Sequence, residues 1–231
     1  NDILTEWIQV KQGRVAMNIT TFPLQPLLDT IAKNRSTYQQ KGIGFEVATA
    51  EGIYVKADRA LTLFMINTLC DNARKFTPTG GVVSITVETD DNVVEISVKD
   101  TGCGLSQENV DKINNSKVFR ISSTQKVDEP SLNEGKGFGF GLMNCKGIIG
   151  QMKKLSNRFH CCDFGVDSEE GKGSRFWFKL PRVFMMLISF FLCTSVFSQT
   201  DYEYTIAQFD TLCNYNATAQ YDKAMDHGCR L

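Results

Sequence analysis

Two glycine-rich stretches and one asparagine motif, set in a fixed order along the first 180 residues, constrain this chain more than any other feature. They are Asp71-Asn72-Ala73-Arg74-Lys75-Phe76-Thr77-Pro78, then Asp100-Thr101-Gly102-Cys103-Gly104, then Gly137-Phe138-Gly139-Phe140-Gly141-Leu142. Glycine clusters are common in turns, so each stretch alone carries little. Their joint order carries much more. The first ends a helical pattern, the second sits at the exit of a hairpin pattern, and the third opens another helix.

Composition narrows the classes. A chain of 231 residues with ordinary apolar and charged fractions can bury one good core, with room for a second small unit. A formal charge of −1 leaves no basic footprint, which disfavours nucleic acid as the main partner. Cysteines at 70, 103, 145, 161, 162, 193, 213 and 229 form no Cys-x-x-Cys pair, so neither a zinc ribbon nor a thioredoxin-like motif is expected. His160-Cys161-Cys162 reads as part of a strand, where neighbouring side chains point to opposite faces and cannot share an ion. The thiols are expected to be inert.

Along the chain, residues 1–13 read as the tail of an amphipathic helix closed by Gly13. Arg14–Phe22 follows as a strand, Pro26–Gln40 as a helix, and Gly44–Thr49 and Ile53–Ala57 as short strands around Glu51-Gly52. Asp58 is a candidate N-cap for a helix reaching about Lys75. Val82–Thr89 and Val93–Lys99 alternate as a hairpin, and a short helix covers Gln107–Ile113. A polar stretch then extends to Lys136, the pattern of a lid or a disordered segment. Leu142 to about Leu155 is a helix, and strands at about Arg158–Ser168 and Ser174–Leu180 flank Glu170-Gly171-Lys172-Gly173. Helices interspersed with mostly antiparallel hairpins predict an α+β, two-layer α/β sandwich.

After Pro181-Arg182 the character changes, because Val183 to Thr200 holds no charge. Eighteen such residues sit at the short end for a membrane span. Lys179 and Arg182 before it, with Asp201 and Glu203 after it, put residues 1–181 on the cytoplasmic side of a cell inner membrane. A buried helix, a secretory signal beginning at Met185 or Met186, and a fused reading frame are the other readings of 183–200. Residues 201–231 hold helix-like pieces that amount to a truncated helical segment, faintly similar to one tetratricopeptide unit.

The three motifs, in that order, resemble the N, G1 and G2 boxes of the ATP-binding domain of sensor histidine kinases, in the GHKL superfamily that also holds gyrase and MutL. The resemblance covers roughly residues 14–181. It implies a Bergerat-type fold with ATP between helices and sheet, which suits a chain containing neither G-x-x-x-x-G-K-[ST] nor G-x-G-x-x-G. It further implies that Asn72 offers an amide oxygen to Mg²⁺ on the phosphates, an oxygen ligand of the kind magnesium prefers. In this resemblance a lysine at the end of the asparagine helix meets phosphate, a role that Lys75 takes here, while Arg74 is solvated. Asp100 becomes the adenine reader, accepting the exocyclic amine that guanine lacks. Gly102 and Gly104 allow close approach of backbone. Lys136, Gly137, Gly139, Gly141 and Leu142 surround the polyphosphate at a lid hinge and helix N-terminus. Phe119 takes the place of the F box, and Glu170–Gly173 resembles a third glycine box.

One departure matters. Gyrase and MutL carry a glutamate four residues before the asparagine, where it activates water, and this chain has Thr68 there. A threonine hydroxyl is no base at neutral pH. Many histidine kinases carry asparagine at this place, but Asn67 is offset by one residue, roughly 100° around the helix. The resemblance therefore implies a kinase domain that transfers the γ-phosphoryl group of ATP to a histidine outside this chain, with residues 1–13 as the end of a dimerisation and phosphotransfer helix. No residue within the chain is expected to be catalytic in its own right. The implied partners are an upstream phosphoacceptor helix pair, a response regulator and, in a full-length protein, a second copy. A non-catalytic nucleotide-sensing module of the same fold is the alternative; a serine-kinase anti-sigma factor fits the leader and the apolar segment less well.

Overall fold

A computed structural model of the chain describes residues 2–12, 16–115 and 138–184, with the backbone alone at 2, 4, 6 and 138–140. The order is α1 (Asp2–Lys11), β1 (Ile19–Pro23), α2 (Gln25–Ala32), α3 (Arg35–Gln40), β2 (Gly44–Val47), β3 (Tyr54–Asp58), α4 (Arg59–Phe76), β4 (Val82–Thr89), β5 (Val93–Asp100), α5 (Gln107–Asn115), α6 (Phe138–Met152), a 3₁₀ turn (Asn157–Cys161), β6 (Asp163–Glu169) and β7 (Gly173–Val183). This is a mixed α/β fold.

The strands form one sheet in the order β1-β3-β7-β5-β4-β2, with β6 also paired to β7. All pairings are antiparallel except β2 on β4. Period-2 alternation decides which face is covered. Val94, Ile96 and Val98 of β5 and Phe176, Phe178 and Leu180 of β7 are buried. The alternate positions Glu95, Arg175 and Lys179 lie on the opposite face, where Arg175 meets Glu95 and, at 3.1 Å, Asp167. Helix α4 lies on the covered face, where Leu61, Met65, Leu69 and Ala73, spaced four apart, are all buried. Its start is fixed by the Asp58 carboxylate, whose Oδ1 accepts from Leu61 N at 3.0 Å and whose Oδ2 accepts from Asn18 N at 2.9 Å. Lys41 fixes its end, donating from Nζ to the carbonyls of Arg74 at 2.6 Å and Lys75 at 3.1 Å.

Helix α1 is anchored by Trp7. Its indole is 1% exposed and Nε1 donates to Asn144 Oδ1 of α6 at 3.1 Å. The ring occupies the space that a side chain at Gly147 would fill, with Cζ2 lying 2.9 Å from where a Cβ would stand.

Several sequence expectations change. Pro26–Gln40 is two helices, because the break at Lys33-Asn34 lets Tyr38 turn inward, stack on Phe45 at 3.9 Å and donate to Cys70 O at 3.1 Å. Strands β2 and β3 flank one turn yet sit far apart in the sheet order. The strand expected from Arg158 begins only at Asp163, because the β7 edge beyond Lys179 is taken by β3 through Val55↔Arg182 and Tyr54↔Val183. His160 and Cys161 therefore lie in the 3₁₀ turn rather than a strand. The helix expected from Leu142 starts at Phe138.

The largest correction concerns the apolar segment. Val183 is the last residue of β7, not the start of a span, and among the described residues no helix is long and apolar enough to cross a membrane. That finding overturns the inner-membrane location expected through 183–200. Residues 185–200 and the helical segment 201–231 lie outside the described residues.

Candidate functional site

Helix α4 gathers the motifs. Asn72 stands between Thr68 and Phe76, and each of those two residues touches one glycine stretch. A Cβ on Gly141 would lie 2.7 Å from Thr68 Cγ2, so α6 crosses α4 at this point with no room for a side chain. A Cβ on Gly102 would lie 2.5 Å from the Phe76 carbonyl oxygen, so the loop after β5 closes on the end of the same helix. Eight residues of helix separate the two contacts, roughly 12 Å at 1.5 Å per residue. That is the length scale of a nucleoside triphosphate.

Between the two contacts, the Asn72 amide nitrogen has no task in the fold. Nδ2 is buried with no hydrogen-bond partner among the described residues. Most buried polar atoms are partnered, and an unmet one costs about 1–3 kcal/mol. An unmet donor of this kind suits an acceptor such as a phosphate oxygen, and the oxygen of the same amide is the type of ligand magnesium prefers. Lys75 places its ammonium 5.3 Å from the Phe76 ring centroid, and Arg74 meets Asp71 at 3.7 Å on the surface. The Thr68 hydroxyl donates to Phe64 O at 2.8 Å, bonded back into its own helix.

At the Gly102 end, Asp100 is 4% exposed. Its Oδ1 accepts from Gly102 N at 2.8 Å and from Ser174 N at 3.3 Å. Oδ2 accepts from no donor among the described residues. Burial raises the carboxyl above its ordinary value, and the two backbone N–H groups pull it back only in part.

The loop around Asp100 is held from outside. Gly104 has φ +69° and abuts the Glu169 backbone, and Gly173 has φ +113° and abuts the Asp100 carbonyl, so neither position accepts a side chain. Gly171 N donates to Cys103 O at 2.7 Å, and Leu105 N donates to Ser168 Oγ at 2.8 Å. The turn between β6 and β7 thus backs the loop that carries Asp100. Motif reading gave Ser168 and Ser174 no role, although the adjacent Gly171 and Gly173 were the available signal.

Of the expected residues, Asn72, Lys75, Asp100, Gly102, Gly104, Gly141 and Leu142 lie on these elements, with Leu142 buried in α6. Gly139 lies in the first turn of α6, while Lys136, Gly137 and Phe119 lie outside the described residues. Burial pushes the thiols of Cys70, Cys145 and Cys162 up to about 12, which keeps them protonated and unreactive. Among the described residues no group of His, Cys, Asp and Glu could hold a metal ion.

Comparison with known proteins agrees with this geometry. The family model described as "Histidine kinase-, DNA gyrase B-, and HSP90-like ATPase" matches residues 57–183. The adaptive-response sensory kinase SasA of Gloeothece citriformis (strain PCC 7424) is 30% identical over 187 residues, covering 78% of this chain and 43% of its own length. The chain spans less than half the length of the curated relatives it matches. Two solved structures share the fold: full-length ShkA in complex with AMPPNP (TM-score 0.59, 22% identity, 79% of this chain and 35% of that one), and histidine kinase ThkA in complex with the response regulator protein TrrA (TM-score 0.55, 23% identity, 79% and 47%). With the matched family spanning α4 and the strands and glycine turns around it, the chain belongs to the histidine kinase-, DNA gyrase B- and HSP90-like ATPases.

Proposed function

We propose that this α/β unit is the ATP-binding catalytic domain of a two-component sensor histidine kinase, which presents the γ-phosphoryl group of ATP to a histidine outside this chain. The observation that supports the reading is α4 itself, on which Asn72, with its unpartnered Nδ2, stands between the residues that meet Gly141 and Gly102. Asp100 reads adenine with Oδ2 while its Oδ1 is held by backbone N–H groups. Asn72 Oδ1, together with the phosphates, would hold Mg²⁺, which supplies charge neutralisation for phosphoryl transfer. Lys75 serves the phosphate side, and the motif resemblance assigns Lys136, Gly137, Gly139, Gly141 and Leu142 there as well. Thr68 contributes no base, which suits transfer to a histidine better than hydrolysis. Helix α1 is read as the end of a phosphotransfer helix, and the longer protein as a homodimer that passes phosphate to a response regulator.

Asp100→Asn tests the adenine assignment. ATP affinity should fall, because the change puts a donor NH2 where an acceptor oxygen faced the adenine amine, while GTP stays weak. The same variant should be more stable than the wild type without nucleotide at neutral pH. The sign follows from the raised carboxyl: below its ordinary value of 3.8 both forms are uncharged, and stability is lost as pH rises through the higher folded value. The stability difference should therefore close as pH drops toward 3.8. Equal ATP and GTP affinities in the wild type would remove the adenine role.

A further inference from the structure

We infer that Ser168 is a positioning residue for base selection, acting through the loop that carries Asp100; this rests on the adenine reading above. Ser168 and Ser174 are directly opposite partners on β6 and β7. The Ser168 hydroxyl donates to Gly173 O at 2.8 Å and accepts from Leu105 N at 2.8 Å. It also lies 2.9 Å from Ser174 Oγ. A hydroxyl has one proton and two lone pairs. With its proton on Gly173 O, the contact to Ser174 must be one that Ser174 donates, and the Ser168 oxygen is then saturated. One oxygen therefore ties together the end of the Asp100 loop at Leu105, the positive-φ Gly173, and the residue whose N–H holds Asp100 Oδ1.

The consequence is specific. Oδ1 of Asp100 is held by Gly102 N from one side and Ser174 N from the other, and the second of these bonds is the longer. Ser168 does not touch the reading atom, but it sets where Ser174 sits and where the loop ends. Alanine at 168 leaves Leu105 N without its acceptor and frees the Ser174 hydroxyl to seek another. The carboxylate then loses its fixed direction toward the base, while Asn72 and Lys75, on a separate helix, are untouched. Loss should fall on discrimination between bases rather than on the phosphate end.

The test measures affinities of the full chain for ATP and GTP, both with magnesium, in the wild type, Ser168→Ala, Ser168→Thr and Asp100→Asn. Ser168→Ala should lower ATP affinity about tenfold, near what one well-placed hydrogen bond is worth, leave GTP affinity unchanged and so shrink the ATP:GTP ratio. Ser168→Thr, which keeps the hydroxyl, should restore the ratio. If Ser168→Ala does not fold, Ser168→Cys replaces it, since a thiol fills the space but is a weak donor and acceptor. An unchanged ratio in the alanine or cysteine variant, with Asp100→Asn still losing it, overturns the role of Ser168 and leaves the adenine reading intact. An ATP and GTP loss of equal size, not restored by threonine, also overturns it, as a purely structural effect. A ratio near one in the wild type overturns both.

Discussion

Replacing Asn72 with alanine is expected to abolish magnesium-dependent ATP binding while leaving the fold intact. The side chain sits on α4 but does not pack as its core face does, and its buried Nδ2 has no partner among the described residues. Removing it breaks no hydrogen bond made by that atom, so thermal stability should be unchanged or slightly higher. Binding should respond in the opposite way. With the oxygen ligand gone, affinity for ATP in magnesium should drop by at least about 100-fold, or ~2.8 kcal/mol, toward the value found in a chelator. Titration calorimetry in magnesium and in EDTA checks this. An alanine variant that keeps its magnesium-dependent affinity would take the metal away from Asn72.

The second large effect is on stability and belongs to Trp7. Truncating a fully buried aromatic typically costs about 3–5 kcal/mol. Here the ring fills the notch at Gly147, and its loss would also strip Asn144 Oδ1 of its donor. Asn144 Nδ2 already has no partner among the described residues, so the whole amide would be left unmet in the core. Trp7→Ala should therefore lower the urea midpoint by an amount corresponding to about 3–5 kcal/mol. Trp7→Phe, which keeps most of the apolar area, should lose less. A loss below about 1 kcal/mol in Trp7→Ala would mean that α1 adds little to the core it touches.

How much of this was legible in the sequence depends on whether the deciding interaction is local. The Asp58 cap, the four-residue spacing of Leu61, Met65, Leu69 and Ala73, and the β4–β5 alternation are local signals, and each marks its element correctly. The motif order likewise marks the family, and Gly102 and Gly141 both abut α4, the helix that carries Asn72. The misses depend on partners distant in sequence. Strand β6 starts late because β3 claims the far end of the β7 edge. Val183 reads as part of an apolar run, yet its position is decided by Tyr54 across the sheet. Ser168 looks like an ordinary polar strand residue until Leu105 and Gly173 are brought to it. The unpartnered Nδ2 of Asn72 has no signal in the sequence, since being without a partner is a property of the packed structure.

This chain is expected to supply ATP for phosphoryl transfer to a histidine it does not itself contain. The most direct measurement is exposure to γ-labelled ATP with magnesium, for residues 1–231 and for a longer protein that adds an upstream helix pair. The 231-residue chain should bind ATP but stay unlabelled, since the Thr68 hydroxyl is bonded to Phe64 O and offers no nucleophile or base. The longer protein should acquire an acid-labile, base-stable phosphoryl group on a histidine. Stable labelling of residues 1–231 alone, or no labelling of a longer protein that still binds ATP, would contradict the claim and favour a nucleotide-sensing module without catalysis.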